Sequence, residues 1–528
     1  MKRILLLSTI FIAAIANSQV ANTNVSNFTF WDTEPFIAVN PTNANNVIVA
    51  WMRATAAGQL SIATKYSING GASWSASVVN MSHTSSNFTS ADVSMAFNSS
   101  GTVFLSYVDY KLNLDSGYVY CVSSTDGGQT WGPKHMVTDA MESTDLPVDR
   151  PWIACDRSGG ANDGHLYITT KSYESGQMPH HVWMKSSANN GVNWSSAILI
   201  DNAIPSDLIT NSMGAVTIGS DGAVYVAYPS WHLASSPYAR MIVVKSTDGG
   251  TTFSPYVIGN ATSNSAITDS LLQGSYSIQA NPVNASNVVM VFTDNRNTDA
   301  DILSTRTTDG GVTWSAPIRI TTDNDSNGNN QDMCWAFFTQ NGNFVTAWRD
   351  RRNSAGGSQD NFELFVTASS DGGATFGQNV DMSSAQSPYV NIVKGNDFVG
   401  VCSDGTDIYT DWCDNRTGNT EIYTAKTPLS SVLSVNEYPV LLVKDLKVFP
   451  NPVGANSQLN CSFYSAEKGK AEVRIISVDG KQALLDKQIE IQNGANEIQL
   501  SASSLANGNY ILLLEKDGKQ IGEKSFVK

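Results

Sequence analysis

Ser246-Thr247-Asp248-Gly249-Gly250-Thr251-Thr252-Phe253 is one of six copies of a phrase that decides the fold. The others run Ser67 to Trp74, Ser124 to Trp131, Ser187 to Trp194, Thr307 to Trp314 and Ser369 to Phe376. Their closing aromatics stand at 74, 131, 194, 253, 314 and 376, so the intervals are 57, 63, 59, 61 and 62 residues. A period this steady marks a repeat architecture. Asp-Gly between two apolar runs is a tight hairpin turn, because glycine adopts positive φ without steric penalty. The acidic or amide side chain at Asn69, Asp126, Asn189, Asp248, Asp309 and Asp371 can bond amides within its own turn, and the Ser or Thr two places earlier can do the same. These six positions are therefore expected to be structural turn formers. The closing aromatic is expected to pack under the next hairpin.

Working outward, two further strand-like runs precede each phrase. In the fourth copy these are residues 215–218 and 223–228, followed by 241–245 leading into the turn. Each unit reads as a four-stranded meander of about sixty residues, and radial repetition of such units makes a β-propeller. A last unit, with runs at 398–402, 408–412 and 421–425, lacks the phrase and has three strands. Residues 25–31 are expected to supply its missing outer strand and remove an exposed edge. The fold class is all-β: a seven-bladed β-propeller over residues 20–430, with six blades as the alternative. The phrases resemble the Asp-box (BNR) repeats of sialidase-like propellers. That resemblance implies a glycan-related activity, but it specifies architecture more than chemistry.

The ends of the chain read differently. Met1-Lys2-Arg3 and the apolar run 4–15 precede small and polar residues, a pattern expected of a secretory signal over residues 1–19. Residues 431–445 read as a linker. Beyond it, strand runs and the turns Asp479-Gly480 and Asp517-Gly518 predict a small β-sandwich over 446–528. Phe449-Pro450-Asn451-Pro452, Val478-Asp479-Gly480-Lys481 and Leu505 to Tyr510 resemble the type IX secretion (Por) sorting domain of Bacteroidota. The resemblance implies export across the outer membrane and the type IX machinery as a partner.

Of 528 residues, 15% are charged and 41% hydrophobic, and the net charge is −15. So acidic a surface disfavours nucleic acid as a partner, and no run after the signal is long enough for a transmembrane helix. The six cysteines lack CxxC spacing, which excludes zinc ribbons. Cys402 and Cys413 read either as a bridge or as two buried thiols.

In a propeller whose phrases join third and fourth strands, the loops between second and third strands and those between blades share the opposite face. That face is expected to carry Asp149, Arg150, Trp152, Trp231 and His232. It also carries three Asp-x-Arg loops: Asp294 with Arg296, Asp350 with Arg351 and Arg352, and Asp414 with Arg416. Converging guanidinium groups can grip a carboxylate and nearby carboxylates can move protons, while tryptophans can stack on a sugar. Equally, each Asp can pair with its own Arg and stiffen the loop. Sialidase resemblance implies an arginine in Arg-Ile-Pro on the opening blade. Glu34-Pro35-Phe36-Ile37 stands there instead, and Arg150-Pro151 is a partial echo, so no nucleophile is assigned. The expected partner is a glycan or glycoprotein, processed by a glycoside hydrolase or bound without chemistry. No cofactor is expected. Asp323, Asp325 and Asn327 have the spacing that opens a calcium loop, but Cys334 stands where its twelfth-place acid belongs, and a polar surface loop is the other reading.

Overall fold

The computed structural model describes residues 20–528 apart from 56–57, 114, 140–147, 173–180, 207–212, 231–239, 259–274, 296–298, 324–327, 355–360, 389–397, 434–442, 455–457, 466–467, 478–482 and 517–518. The chain divides into two units, Met1–Ser434 and Val435–Lys528.

The first unit is built from antiparallel sheets of four strands each, and seven such sheets occur among its described residues. Six follow chain order. The first consists of Asp32–Asn40, Asn43–Ala54, Leu60–Ser67 and Val79–Asn80. The first strands of the seven sheets are Asp32–Asn40, Phe88–Phe97, Val148–Cys155, Ala215–Ile218, Tyr276–Ala280, Gln331–Phe338 and Val399–Ser403. Each contacts the next, and the last contacts the first. Such four-stranded sheets are consistent with a β-propeller.

The seventh sheet closes on the N-terminus. Its outer strand is Asn22–Asn24, paired with Glu421–Pro428. Residues 25–31, expected to form it, follow that strand, and only the Val25 amide continues the ladder by donating to Ile422 O at 2.8 Å. The closing strand is thus shifted a few residues towards the N-terminus, which leaves 25–31 as the connection into the first sheet.

Each Asp-Gly phrase joins the third and fourth strands of its sheet. In the fourth sheet Asp248 Oδ1 accepts the Ser246 hydroxyl at 2.7 Å and the Thr252 amide at 2.9 Å, while Oδ2 accepts the Thr252 hydroxyl at 2.6 Å. The Gly250 amide donates to Ser246 Oγ at 2.9 Å. Asp126, Asp309 and Asp371 repeat this pattern. Asn69 and Asn189 keep its amide bond, accepting from Ser73 and Asn193 at 2.9 Å. The hydrogen bonds to Asp309, led by those from Thr313, lower its pKa to about 2. These side chains are committed to their turns.

The closing aromatics correct one expectation. They pack against the preceding sheet, not under the next hairpin. Trp131 donates from Nε1 to Thr64 Oγ1 of the first sheet at 3.2 Å, Phe376 joins the cluster that holds Val289 and Val291 of the fifth, and Trp74 joins the cluster that holds Tyr409 of the seventh. The glycines explain the direction. A Cβ on Gly373 would stand 2.9 Å from Val289 Cγ2, so the turn backbone already lies against the sheet before it. Asn287 Nδ2 of the fifth sheet donates to Gly372 O at 3.0 Å, and Lys426 Nζ of the seventh to Gly70 O of the first at 3.3 Å. The phrase is a clasp between neighbouring sheets, present in six of the seven sheets and absent from the last.

Cys402 and Cys413 are not bridged: all six cysteines are buried free thiols. The second unit has a three-stranded and a four-stranded sheet that share a core including Leu459, Phe463, Val473, Leu512 and Phe526.

Candidate functional site

Four of the seven first strands carry the same irregularity near their starts. The register shifts between Thr33 and Phe36, Ala91 and Ser94, Asp149 and Trp152, and Asp332 and Trp335. Glu34, Asp92, Arg150 and Met333 occupy these bulges with φ of 50°, 53°, 50° and 53°. A non-glycine residue in the left-handed region costs about 1–2 kcal/mol, and bulges re-aim side chains beside functional sites. Glu34, Asp92 and Arg150 therefore sit at equivalent places on three neighbouring strands, each nearly buried.

Beneath the bulges the axis is closed by aromatic side chains. Trp152 lies with its ring centroid 6.0 Å from Phe36, 5.2 Å from Trp335 and 5.1 Å from Phe398. These four rings come from the first, third, sixth and seventh sheets, so they meet across the ring's centre. Below them a channel of about 190 Å³, lined by first-strand residues of all seven sheets, runs towards the face of the clasps. Trp152 was expected to stack on a sugar. It is buried in this plug, with Nε1 donating to Met213 Sδ at 2.7 Å.

Charged groups gather on the plug's loop side. The Arg150 guanidinium lies 4.9 Å from the Phe398 ring centroid. Asp149 is hydrogen-bonded to Asp92, and its Oδ2 is 3.3 Å from Lys171 Nζ. Lys171 reaches it because Asp149 and Lys171 face each other across the first and second strands of the third sheet. Burial opposes ionisation of Asp149, but the Lys171 ammonium, the Asp92 hydrogen bond and Arg150 outweigh it and hold its pKa down. Two carboxyl groups bond to each other only through a shared proton. The cluster thus brings two carboxyl groups together with Lys171 and Arg150, the components of proton transfer to a bound hydroxyl or ether oxygen.

The Asp-x-Arg loops are disposed differently. Arg352 binds its own Asp350 through Nε at 3.0 Å and Nη2 at 2.7 Å, and Asp350 also accepts Trp348 Nε1 at 2.8 Å. Arg416, Asp414 and Trp412 repeat the arrangement at 3.0, 2.6 and 2.7 Å. Arg352 then donates to Asn379, next to the outer strand of its sheet, and Arg416 donates to Asn22 in the closing outer strand. Both guanidinium groups therefore reach towards the rim, not the axis. Arg351 is fully buried, donating to Asp332 at 3.2 Å and Asn330 O at 3.2 Å. Asp294 is buried, while Arg296, Trp231 and His232 lie outside the described residues.

Of the residues expected on this face, Asp149 and Arg150 are brought together at the axis. Glu34, Asp92 and Lys171 join that region without having been singled out as binding residues. A signal for them was present: Glu34-Pro35-Phe36-Ile37 and Arg150-Pro151-Trp152-Ile153 share one Xaa-Pro-aromatic-Ile pattern at the same structural place. Asp323 accepts Arg319 Nη2 at 2.7 Å, while Asp325 and Asn327 lie outside the described residues. No cluster of three metal-ligating side chains occurs among the described residues.

Residues 123–401 match the family model described as BNR repeat-like domain. The chain belongs to this family. Residues 447–528 match the secretion system C-terminal sorting domain, which marks the chain for secretion or the cell surface through the type IX system. No helix among the described residues is long and apolar enough to cross a membrane. No curated protein matches. Similar solved structures include a protein of unknown function from Dyadobacter fermentans, at 12% identity and TM-score 0.42, covering 65% of this chain and 96% of that one. A Hadza microbial sialidase shares 16% identity, with TM-score 0.43 and coverage of 71% and 74%. The Penicillium chrysogenum alpha-L-arabinanase shares 14% identity, with TM-score 0.41 and coverage of 78% and 99%. A BNR repeat-like domain joined to a secretion sorting tail points to an exported protein.

Proposed function

We propose that the chain is an exported seven-bladed β-propeller, delivered with a cleavable signal over residues 1–19, that binds and processes extracellular glycans at the axial end of its loop face. The observation that carries this reading is the convergence of Asp92, Asp149, Arg150 and Lys171 over the aromatic plug, built on strained bulges. In this reading the proton shared by Asp92 and Asp149 passes to a glycosidic oxygen, beside the Lys171 ammonium. Arg150 alone among these groups offers a guanidinium, so the site favours sugars recognised through hydroxyl groups over a sialic acid carboxylate, which calls for several arginines.

A second reading, glycan binding without turnover, rests on a specific observation. Asp92 and Asp149 are in direct hydrogen-bond contact, closer than the carboxyl separations of about 5–9.5 Å that glycoside hydrolases use. A chromogenic glycoside panel including sialosides, run alongside a glycan array, separates the two. Turnover abolished by Asp92→Asn supports processing. Array binding without turnover selects the second reading. Neither turnover nor binding refutes both.

A further inference from the structure

Away from the axis, three side chains from two sheets form a continuous hydrogen-bonded chain. Ser61 lies in the strand Leu60–Ser67, His83 in the connection that follows Val79–Asn80, and Asp109 in Val103–Lys111. Ser61 Oγ is 2.9 Å from His83 Nε2, and His83 Nδ1 is 3.0 Å from Asp109 Oδ1. The second Asp109 oxygen accepts the Thr84 amide at 2.6 Å and the Thr84 hydroxyl at 2.7 Å, and Ser90 donates to Oδ1 at 3.0 Å.

These contacts fix which groups carry protons. Burial opposes ionisation of Asp109, yet hydrogen bonds from His83, Thr84 and Ser90 outweigh it and lower its pKa. An ionised carboxylate only accepts, so Nδ1 carries the imidazole proton. In the neutral imidazole Nε2 then presents its lone pair to the Ser61 hydroxyl. A hydroxyl bonded to a histidine whose other nitrogen is held by a carboxylate is the arrangement of an activated serine.

Access is restricted but present. The His83 side chain keeps 16% of its surface and Ser61 keeps 9%, beneath a connection whose residues 84–87 are exposed. With so little surface left, the pair can meet only a small acyl group.

We propose that Ser61, His83 and Asp109 form a second active centre that hydrolyses small acyl esters such as acetate esters. Ser61 Oγ attacks the ester carbonyl as its proton passes to His83 Nε2. The C–O bond to the alcohol then breaks, and the alcohol leaves with that proton. Water, deprotonated by His83, attacks the acetyl-serine; acetate departs and Ser61 recovers its proton. Ser61 and His83 are catalytic residues here, and Asp109 is a positioning residue. The proposal stands apart from the glycan reading and shares no residue with it.

The test uses the full chain, a fluorophosphonate probe and p-nitrophenyl acetate. The expected result is a phosphonyl adduct on Ser61, located by peptide mass spectrometry, and ester turnover lost in Ser61→Ala. His83→Asn is expected to abolish both signals. Asp109→Asn is expected to lower kcat at least tenfold with KM unchanged, because the amide no longer selects the Nδ1–H tautomer. Absence of the adduct from folded wild-type protein overturns the proposal, as does ester turnover that survives Ser61→Ala. Because the adduct is sought on the wild type, its presence or absence decides the matter even where a variant fails to fold.

Discussion

Asp332→Ala tests whether the first unit depends on ion pairs sealed between its strands. Asp332 accepts Arg349 Nε at 2.7 Å and Nη2 at 2.8 Å, and Arg351 Nη2 at 3.2 Å. The side chains keep only 5%, 6% and 0% of their surface for Asp332, Arg349 and Arg351. Truncating the acid removes the carboxylate that two buried guanidinium groups share. Removing one partner of a buried pair costs about 3–5 kcal/mol. Spread over roughly 400 residues at about 2.1 cal/mol/K each, the unfolding entropy is about 0.8 kcal/mol/K, which translates the loss into a Tm lower by about 4–6 °C. Differential scanning calorimetry at a fixed scan rate measures it. A companion triple variant, Asp332→Leu with Arg349→Met and Arg351→Leu, removes all three charges and should recover most of the loss. A single variant within about 1 °C of wild type, or a triple variant below the single one, would refute the reasoning.

Further outcomes follow from the same geometry. Gly373→Ala places a methyl 2.9 Å from Val289 at φ 82°, so it should destabilise by about 2–4 kcal/mol through strain plus overpacking. Gly159→Ala, at φ 70° with nothing within 4 Å, should lose only about 1 kcal/mol; equal losses in urea titrations would contradict the clasp. Burial, helped by Glu363 and Asp350, raises the Asp381 pKa to about 7. Its contribution is therefore present below the unfolded carboxylate pKa of about 3.9 and lost as pH rises to 7. Asp381→Asn should gain Tm relative to wild type as pH rises from about 4 to 7, whereas a pH-independent difference would speak against it. Six buried free thiols, with Cys121 and Cys155 pushed up to about 12 by burial, predict no rapid reaction with a disulfide reagent in native protein and six equivalents after denaturation. Fewer than six would reveal a bridge.

Much of the architecture was legible because a clasp needs particular atoms at fixed offsets. Only a short acceptor at position 248 reaches the amide at 252, and only glycine at 250 allows the turn to lie against the preceding sheet. The side on which Phe253 packs was not legible, since an aromatic residue announces burial without announcing its partner. The Asp-x-Arg loops pair within themselves for a related reason. Asp414 and Arg416 satisfy each other within one loop, and Trp412 two residues upstream completes the unit, so their recurrence served the sheet. The axial cluster was partly hidden because it is assembled across sheets. Asp92 and Asp149 lie far apart in sequence, and only the bulges bring them into contact. Asn22–Asn24 was missed as the closing strand because three polar residues carry no alternation of hydrophobicity.

The most direct measurement compares the axis with the rim. Isothermal titration of the strongest array-selected oligosaccharide into wild type, the double variant Asp92→Asn with Asp149→Asn, and Arg352→Ala reads both at once. The account predicts at least a tenfold loss of affinity in the double variant and wild-type affinity in Arg352→Ala. Affinity retained in the double variant and lost in Arg352→Ala would contradict it.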